Sequence, residues 1–347
     1  MTYKSSKPIT KKQLNKIINN HFPEQKLLEI IEITESFVNP VYSFSLDNSE
    51  QFILKINNPR WPYKQQREIE AIKKAKAETT LPIPNLIAFS SPKDSFRYLI
   101  LEKAPGIELR EAVNNEKLTS NEIIEIIKHI GSFLGQLHNI SFDFYGDFSS
   151  VYNLIDKNKN YLWGNRFESW PMCFKAFCLD IINWVDRESF SHYRKKIKEK
   201  INEYMELMPE SENPCFVHSD IQPSNIIVNN TEISAIIDFE WSFAGSPSFD
   251  YHMTQAGFYF SIFPTLSSSR MYKTYSDINL ERVKQAFLEG YRFTNNLLLK
   301  SIPPDLIDFI WLLYMIGSWK WTKQTSTKSE LENFKNNIHS LYSKLID

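Results

Sequence analysis

Apolar and polar positions change period several times in the first hundred residues, and each change marks an element. Residues 11–20 read as a short helix with Thr10 as its N-cap. Strand patterns follow at 27–33 and at 41–46. In the second, Tyr42, Phe44 and Leu46 share one face, and Val41, Ser43 and Ser45 the other. After the turn Asp47-Asn48-Ser49, residues 51–57 alternate again, with Phe52, Leu54 and Ile56 on one side and Ile53 and Lys55 on the opposite one. A helix over about 63–77 stops before Leu81-Pro82-Ile83-Pro84. Strands at 86–89 and 97–101 then lead to Lys103-Ala104-Pro105-Gly106. Five strands with one inserted helix predict a small β-rich lobe over 1–103.

From residue 107 the period is mostly helical, which predicts a larger lobe over 104–347. Ser120 is placed as the cap of a helix whose Ile123, Ile124, Ile127, Ile130, Leu134 and Leu137 recur at helical spacing. Phe174, Phe177, Ile181 and Trp184 form a second stripe, and Leu306, Phe309, Leu313 and Ile316 a third. All three are expected to be core. The predicted fold class is therefore α+β, in two lobes.

Forty basic and forty-one acidic residues nearly cancel, and no basic stripe is present, so nucleic acid is not an expected partner. Cys173, Cys178 and Cys215 lack metal-ligand spacing and read as reduced structural thiols. The polar N-terminus carries no signal-peptide pattern, and the apolar run 309–319 is too short to span a bilayer. A cytoplasmic protein without a membrane partner is expected. Oligomeric state is not legible.

Chemistry collects between 218 and 240, in His218-Ser219-Asp220-Ile221-Gln222-Pro223-Ser224-Asn225 and Ile236-Ile237-Asp238-Phe239-Glu240. Strand-like 225–228 and 233–237 flank the turn Asn229-Asn230-Thr231-Glu232. Pairing across that turn sets Asn225 nearly opposite Ile236, so Asn225 and Asp238 leave the hairpin at the same open end. An amide and a carboxylate gathered there suit Mg²⁺, which takes few protein oxygens alongside substrate phosphates. Asp220, on the preceding loop, is then placed to accept the proton of an attacking hydroxyl. The spacing matches the protein-kinase catalytic loop followed by its metal-binding triplet, here D-F-E.

That chemistry also needs a strand lysine clamped by a helical glutamate. Lys55 lies in an otherwise apolar strand. Glu68 falls within the stripe of Ala71, Ile72 and Ala75, whereas Glu70 falls on the far side near Lys73 and Lys74. A carboxylate on an apolar face calls for a buried cation, so Glu68 is the expected partner of Lys55. In the connector, Glu102 and Ala104 are the residues whose main chain is expected to meet a nucleotide base.

These residues resemble the aminoglycoside phosphotransferase and choline kinase family of small-molecule kinases. The resemblance covers most of 30–255 and is carried by Asn39-x-x-Tyr42, Ile53-Leu54-Lys55, Arg67-Glu68, Leu134-x-x-Leu137-His138, the loop at 218–225, Asp238-Phe239-Glu240, and Gly245-Ser246-Pro247 with Asp250. It implies a protein-kinase-like fold, ATP or GTP as donor, Mg²⁺, and a small-molecule hydroxyl acceptor. By matching position, Asp220 is the base, Asn225 and Asp238 the metal ligands, and Lys55 the phosphate contact. The chain departs from the family at Thr34-Glu35-Ser36-Phe37-Val38, where glycines usually approach phosphate. Ser36 is the expected substitute donor there.

Only a few residues separate Asp238 from Gly245-Ser246-Pro247, so no long activation segment ending in A-P-E fits, and Ser219 replaces the loop arginine. Both features favour a small acceptor over a protein. Trp241, Phe243, Tyr251, Phe258, Tyr259, Phe260 and Phe263 are pocket or core candidates. Asp143, Asp147, Glu168, Asp180 and Glu240 are candidate anchors for the amines of an aminoglycoside-like antibiotic. Macrolides, other sugars and amino alcohols remain alternatives, as do a catalytically silent binding protein and a metal-dependent hydrolase.

Overall fold

The first hundred residues form a five-stranded antiparallel sheet, in which residues 41–46 and 51–56 alternate strictly between the two faces. The computed structural model describes residues 9–33, 39–57, 63–91, 94, 96–150, 161–183, 190–208, 212–262 and 275–346, without the side chains of 256, 258–262, 320, 321, 324 and 325. The fold is mixed α+β. Contacts divide it into two units, one drawn from Met1–Ile126, Asp220–Ser242 and Ser268–Asp277, the other from Ile127–Ser219, Phe243–Ser267 and Ile278–Asp347.

In the first unit, helix α1 (Lys11–His21) begins at a capping box in which Thr10 and Gln13 satisfy each other's backbone amides. Strands β1 (Leu27–Ile33), β2 (Val41–Leu46), β3 (Gln51–Ile56), β4 (Leu86–Phe89) and β5 (Tyr98–Glu102) lie in the order β1-β2-β3-β5-β4. Phe44 and Phe52 face each other across β2 and β3, with ring centroids 5.2 Å apart. Together with Leu46, Leu54, Ile100 and the Ile18 face of α1 they form one core. The opposite face of β3 presents Lys55, paired in register with Val41 and Leu99.

Helix α2 (Lys64–Glu78) buries Lys64, Arg67, Glu68, Ala71, Ile72 and Ala75 along one side. Spacings of three and four keep these residues on a single face. A short strand, β6 (Ile107–Glu108), pairs with β7 (Ile226–Asn229), which forms a hairpin with β8 (Glu232–Ile236). The register differs by one residue from the expected one. Ile226 stands opposite Ile236, and Asn225 ends a short 3₁₀ turn, where its carbonyl accepts the Ile237 amide at 3.0 Å. A bulge between Ile227 and Val228 absorbs the offset. Asn225 is thereby moved one position closer along the chain to Asp238.

Helix α3 (Ser120–His138) is capped by Thr119 rather than Ser120: the Glu122 amide donates to Thr119 Oγ1 at 3.3 Å, and the Thr119 amide donates to Glu122 at 2.7 Å. Thr119-x-x-Glu122 is a capping box that Ser120 lacks the spacing to make. In the second unit, α4 (Trp170–Asn183), α5 (Arg194–Leu207), α8 (Leu306–Thr325) and α9 (Lys328–Leu345) share one apolar core that includes Phe174, Phe177, Ile181, Phe309, Leu313 and Ile316. The stripes of Phe174 and Leu313 are thus core, with Trp184 outside the described residues, and on α3 Ile123, Ile127, Ile130, Leu134 and Leu137 are buried while Ile124 is half-buried. Helices α6 (Pro247–Ile262) and α7 (Leu280–Thr294) complete the unit.

A four-stranded sheet of Tyr145–Gly146, Arg166–Phe167, Cys215–Val217 and Phe243–Gly245 went unpredicted. Strands of two or three residues are too short to display a period. All three cysteines are free and buried. Among the described residues, no helix is long and apolar enough to cross a membrane.

Candidate active site

The first unit brings Lys55, Glu68, Asp238 and Glu240 together. Lys55 projects from the non-core face of β3, and its Nζ lies 2.9 Å from Glu68, 2.8 Å from Asp238 and 3.4 Å from Glu240. Glu68 is therefore the helical partner of Lys55. Glu70, the rejected alternative, instead accepts a hydrogen bond from Gln66 within its own helix. Burial opposes the charge on Lys55, but three surrounding carboxylates outweigh it and hold the ammonium well above its usual range. For Glu68, burial dominates, and the neighbouring Asp238 and Glu240 charges add to it. Its carboxyl is pushed up to about 7 despite Lys55.

Asp238 adopts a left-handed conformation, φ 69° and ψ 58°, immediately before a 3₁₀ turn over Phe239–Trp241. Phe239 is buried and anchors that turn, while the Asp238 side chain stays 29% exposed. Of the three clustered acids it is the one open to an arriving group.

Asp220 and Asn225 form a second pair, with Asn225 Nδ2 donating to Asp220 Oδ2 at 2.9 Å and to the Asp220 carbonyl at 2.8 Å. Gln222 Nε2 donates to the other carboxylate oxygen at 2.9 Å. Burial and the Asp238 charge push the Asp220 carboxyl well above its usual range, against the opposing effect of the Asn225 hydrogen bond. With its amide hydrogens turned to Asp220, Asn225 keeps its carbonyl oxygen for another partner.

Glu240, a candidate anchor for acceptor amines, has a different place. It is 4% exposed and accepts from Lys64 Nζ at 2.5 Å and from Asn39 Nδ2 at 3.1 Å. Burial would raise its carboxyl, but Lys55 and Lys64 together lower it to about 2. Lys64, Asn39 and Gln222 were missed by sequence reasoning. A signal for Lys64 existed, since it lies four residues before Glu68 and so on the same helical face.

Ser36 and its loop fall outside the described residues. Glu102 ends β5, with its carboxylate accepting from Asn85 Nδ2 at 2.6 Å. Two residues on, Ala104 is half-buried in the connector. Among the proposed acceptor anchors, Asp147 holds the amides of Ser149 and Gly164, and Asp180 holds that of Leu162. Asp143 and Glu168 are exposed. Phe243 and Tyr251 are buried, whereas the Phe258, Tyr259 and Phe260 side chains and Phe263 lie outside the description.

The donor set fits magnesium. Glu68, Asp238 and Glu240 each offer a carboxylate oxygen within 4.8 Å of the others. Asp220 adds a fourth acid near Lys55 and Lys64, and a divalent cation would neutralise such a cluster of carboxyl groups. Hard oxygen donors, with Asn225 adding a carbonyl, are the ligands Mg²⁺ selects.

Comparison with known proteins identifies the family and the fold. The family model described as "Phosphotransferase enzyme family" matches residues 29–291. Among solved structures, aminoglycoside phosphotransferase APH(4)-Ia is similar at a TM-score of 0.59 and 15% identity, covering 96% of this chain and 99% of that one. The GDP and kanamycin complex of APH(2")-IIia is similar at 0.57 and 12%, with coverage of 96% and 99%. A thermostable APH(4)-Ia variant in ternary complex with AMP-PNP and hygromycin B is similar at 0.57 and 16%, with coverage of 94% and 97%. No curated protein matches the sequence.

Proposed function

This chain belongs to the phosphotransferase enzyme family, and from that premise we propose that it is a magnesium-dependent kinase moving the γ-phosphoryl group of ATP or GTP to a hydroxyl of a small molecule. The observation that carries the reading is the convergence on Lys55 of Glu68 and Asp238 at 2.9 and 2.8 Å, in the unit that also pairs Asp220 with Asn225. Relatives solved with AMP-PNP and with GDP support a nucleoside triphosphate donor.

Asp220 would take the acceptor's proton as the hydroxyl oxygen bonds to the γ-phosphorus and the bond to the departing diphosphate breaks. The Gln222 and Asn225 amides would hold its carboxylate in line. Lys55, kept in place by Glu68, would exchange Asp238 for phosphate oxygens. Asp238 and the Asn225 carbonyl would hold Mg²⁺, which supplies charge neutralisation across the phosphates. Glu102 and Ala104 would offer main-chain groups to the base, and Ser36 a hydroxyl to phosphate.

An aminoglycoside-like antibiotic is the leading acceptor, supported by relatives complexed with hygromycin B and kanamycin. One observation favours a second reading, an acceptor with fewer amines such as a macrolide, another sugar or an amino alcohol. Asp147, Asp180 and Glu240 are engaged internally, which leaves Asp143 and Glu168 for a polycation.

Nucleotide turnover with Mg²⁺ against aminoglycosides, macrolides and amino alcohols tests both readings. Asp220→Ala is expected to lower turnover roughly 10²–10⁴-fold. Full activity in that variant would remove the proposed base, and phosphate release without any acceptor would indicate a hydrolase instead.

A further inference from the structure

A lysine in the first turn of a helix opposes the helix dipole, and a buried one also loses its hydration. Lys64 does both. It is the first residue of α2 and is 3% exposed. Such a residue persists where a specific partner compensates it, and Glu240 is that partner at 2.5 Å, with the Trp241 ring centroid 4.7 Å from the same ammonium. Both contacts fall in the turn that follows Asp238.

Three acids surround Lys55, yet their distances are unequal. Glu68 and Asp238 lie at 2.9 and 2.8 Å, while Glu240 stands back at 3.4 Å and gives its short contact to Lys64. Asn39 takes a further share of Glu240. Lys64 thus keeps Glu240 from competing for Lys55. It also ties α2 to the turn that holds Asp238 in its left-handed conformation. In a D-F-E triplet the third residue carries a charge that glycine would not, and Lys64 is what neutralises it.

We infer that Lys64 is a positioning residue, which restrains Glu240 and so fixes the Asp238 turn and leaves Lys55 free for phosphate. The restraint is a property of the ligand-free chain, while its consequence for phosphate rests on the proposed kinase reading.

Two arms of one experiment separate these. In the first, hydrogen exchange is followed over 237–242 in ligand-free protein. Lys64→Met is expected to exchange severalfold faster there, with β2 and β3 unchanged, and Lys64→Arg to restore wild-type rates. Unchanged exchange in Lys64→Met overturns the inference whether or not the protein is a kinase. In the second, the KM for magnesium–nucleotide is expected to rise roughly 10–100-fold in Lys64→Met, the range for losing an outer partner of a metal-binding residue. Adding Glu240→Gln should bring it back, because an amide does not compete for Lys55 as a carboxylate does. A KM unmoved in Lys64→Met, or a double variant no better than the single, overturns the phosphate consequence. A wild-type protein that turns over no nucleotide counts against the kinase reading, while the exchange arm still decides Lys64. Should Lys64→Met fail to fold, Lys64→Arg and Glu240→Gln carry both measurements.

Discussion

Glu68 stands thirteen residues after Lys55 in sequence and meets it at 2.9 Å, joining helix α2 to strand β3. Their side chains are 2% and 13% exposed, so the Glu68 charge depends on the Lys55 ammonium, whereas Lys55 has a second carboxylate in Asp238.

Lys55→Met should therefore abolish turnover and destabilise the protein by about 3–5 kcal/mol, the range for stranding a buried charge. Glu68→Gln should cost less, because its amide oxygen still accepts from Lys55 and Asp238 still pairs with that ammonium at 2.8 Å. Urea unfolding of the two variants beside nucleotide turnover checks the order. Equal stabilities would show that the cluster is solvated rather than buried.

Gly106 closes the connector with φ 113°, and a Cβ there would come within 2.1 Å of the Val228 carbonyl oxygen on the hairpin. Neither the backbone angle nor the space suits any other residue. Gly106→Ala is expected to cost about 3 kcal/mol or more, from left-handed strain plus overpacking. Chemical denaturation measures it, and a loss under about 1 kcal/mol, what a helix cap is worth, would mean that the hairpin yields.

Long periodic elements were legible in the sequence where one face of each is buried: strands β2 and β3, the Glu68 face of α2, and the stripes of Phe174 and Leu313. The pairing of Lys55 with Glu68 followed from the same rule, a charge on an apolar face. Features fixed by local hydrogen bonding were not legible. The bulge at Ile227 moved Asn225 by one position, and strands of two residues left no pattern, whereas the Thr119-x-x-Glu122 cap was legible and passed over for Ser120. Glu240 was misplaced for another reason. Its environment comes from Lys64 and Asn39, more than 170 residues earlier, and no periodicity near Glu240 encodes that encounter.

Glu240 also predicts a pH dependence. Lys55 and Lys64 overcome burial and lower its folded-state carboxyl to about 2, below the ordinary value of 4.5. The folded state then binds fewer protons than the unfolded state between these values. Stability from this group is complete above about pH 4.5 and is lost as pH falls towards 2. The amount is on the order of 3 kcal/mol. Glu68 shifts in the opposite direction, towards about 7, so its window lies above 4.5 and does not overlap. Thermal unfolding of the wild type should fall steeply from pH 4.5 to 2, and Glu240→Gln should flatten that limb. An unchanged slope in the variant would falsify the assignment.

Asp250 makes the last prediction, through the backbone that leads into Asp220. Fully buried on α6, it accepts the His218 amide at 2.9 Å on one oxygen and the Ser219 amide at 3.0 Å on the other. Ser219 is left-handed, φ 60°, a conformation a serine holds only under restraint. His138 adds Nε2 at 3.3 Å to the first oxygen, while its Nδ1 meets the Tyr291 hydroxyl at 2.9 Å. Asp250→Asn preserves shape but retains one accepting oxygen, so an amide hydrogen of the new side chain must point at a backbone donor. The cost of such an unsatisfied buried group is about 1–3 kcal/mol, which this fold should survive. Turnover should suffer more, because Asp220 directly follows Ser219, and a shift of ~1 Å in a catalytic group can cost ~10²-fold. The expected result is a folded variant whose kcat drops by about two orders of magnitude with nucleotide KM little altered. A folded Asp250→Asn enzyme with wild-type kcat would mean that Ser219 keeps its conformation without the carboxylate, and that the loop before Asp220 is held by its own turn.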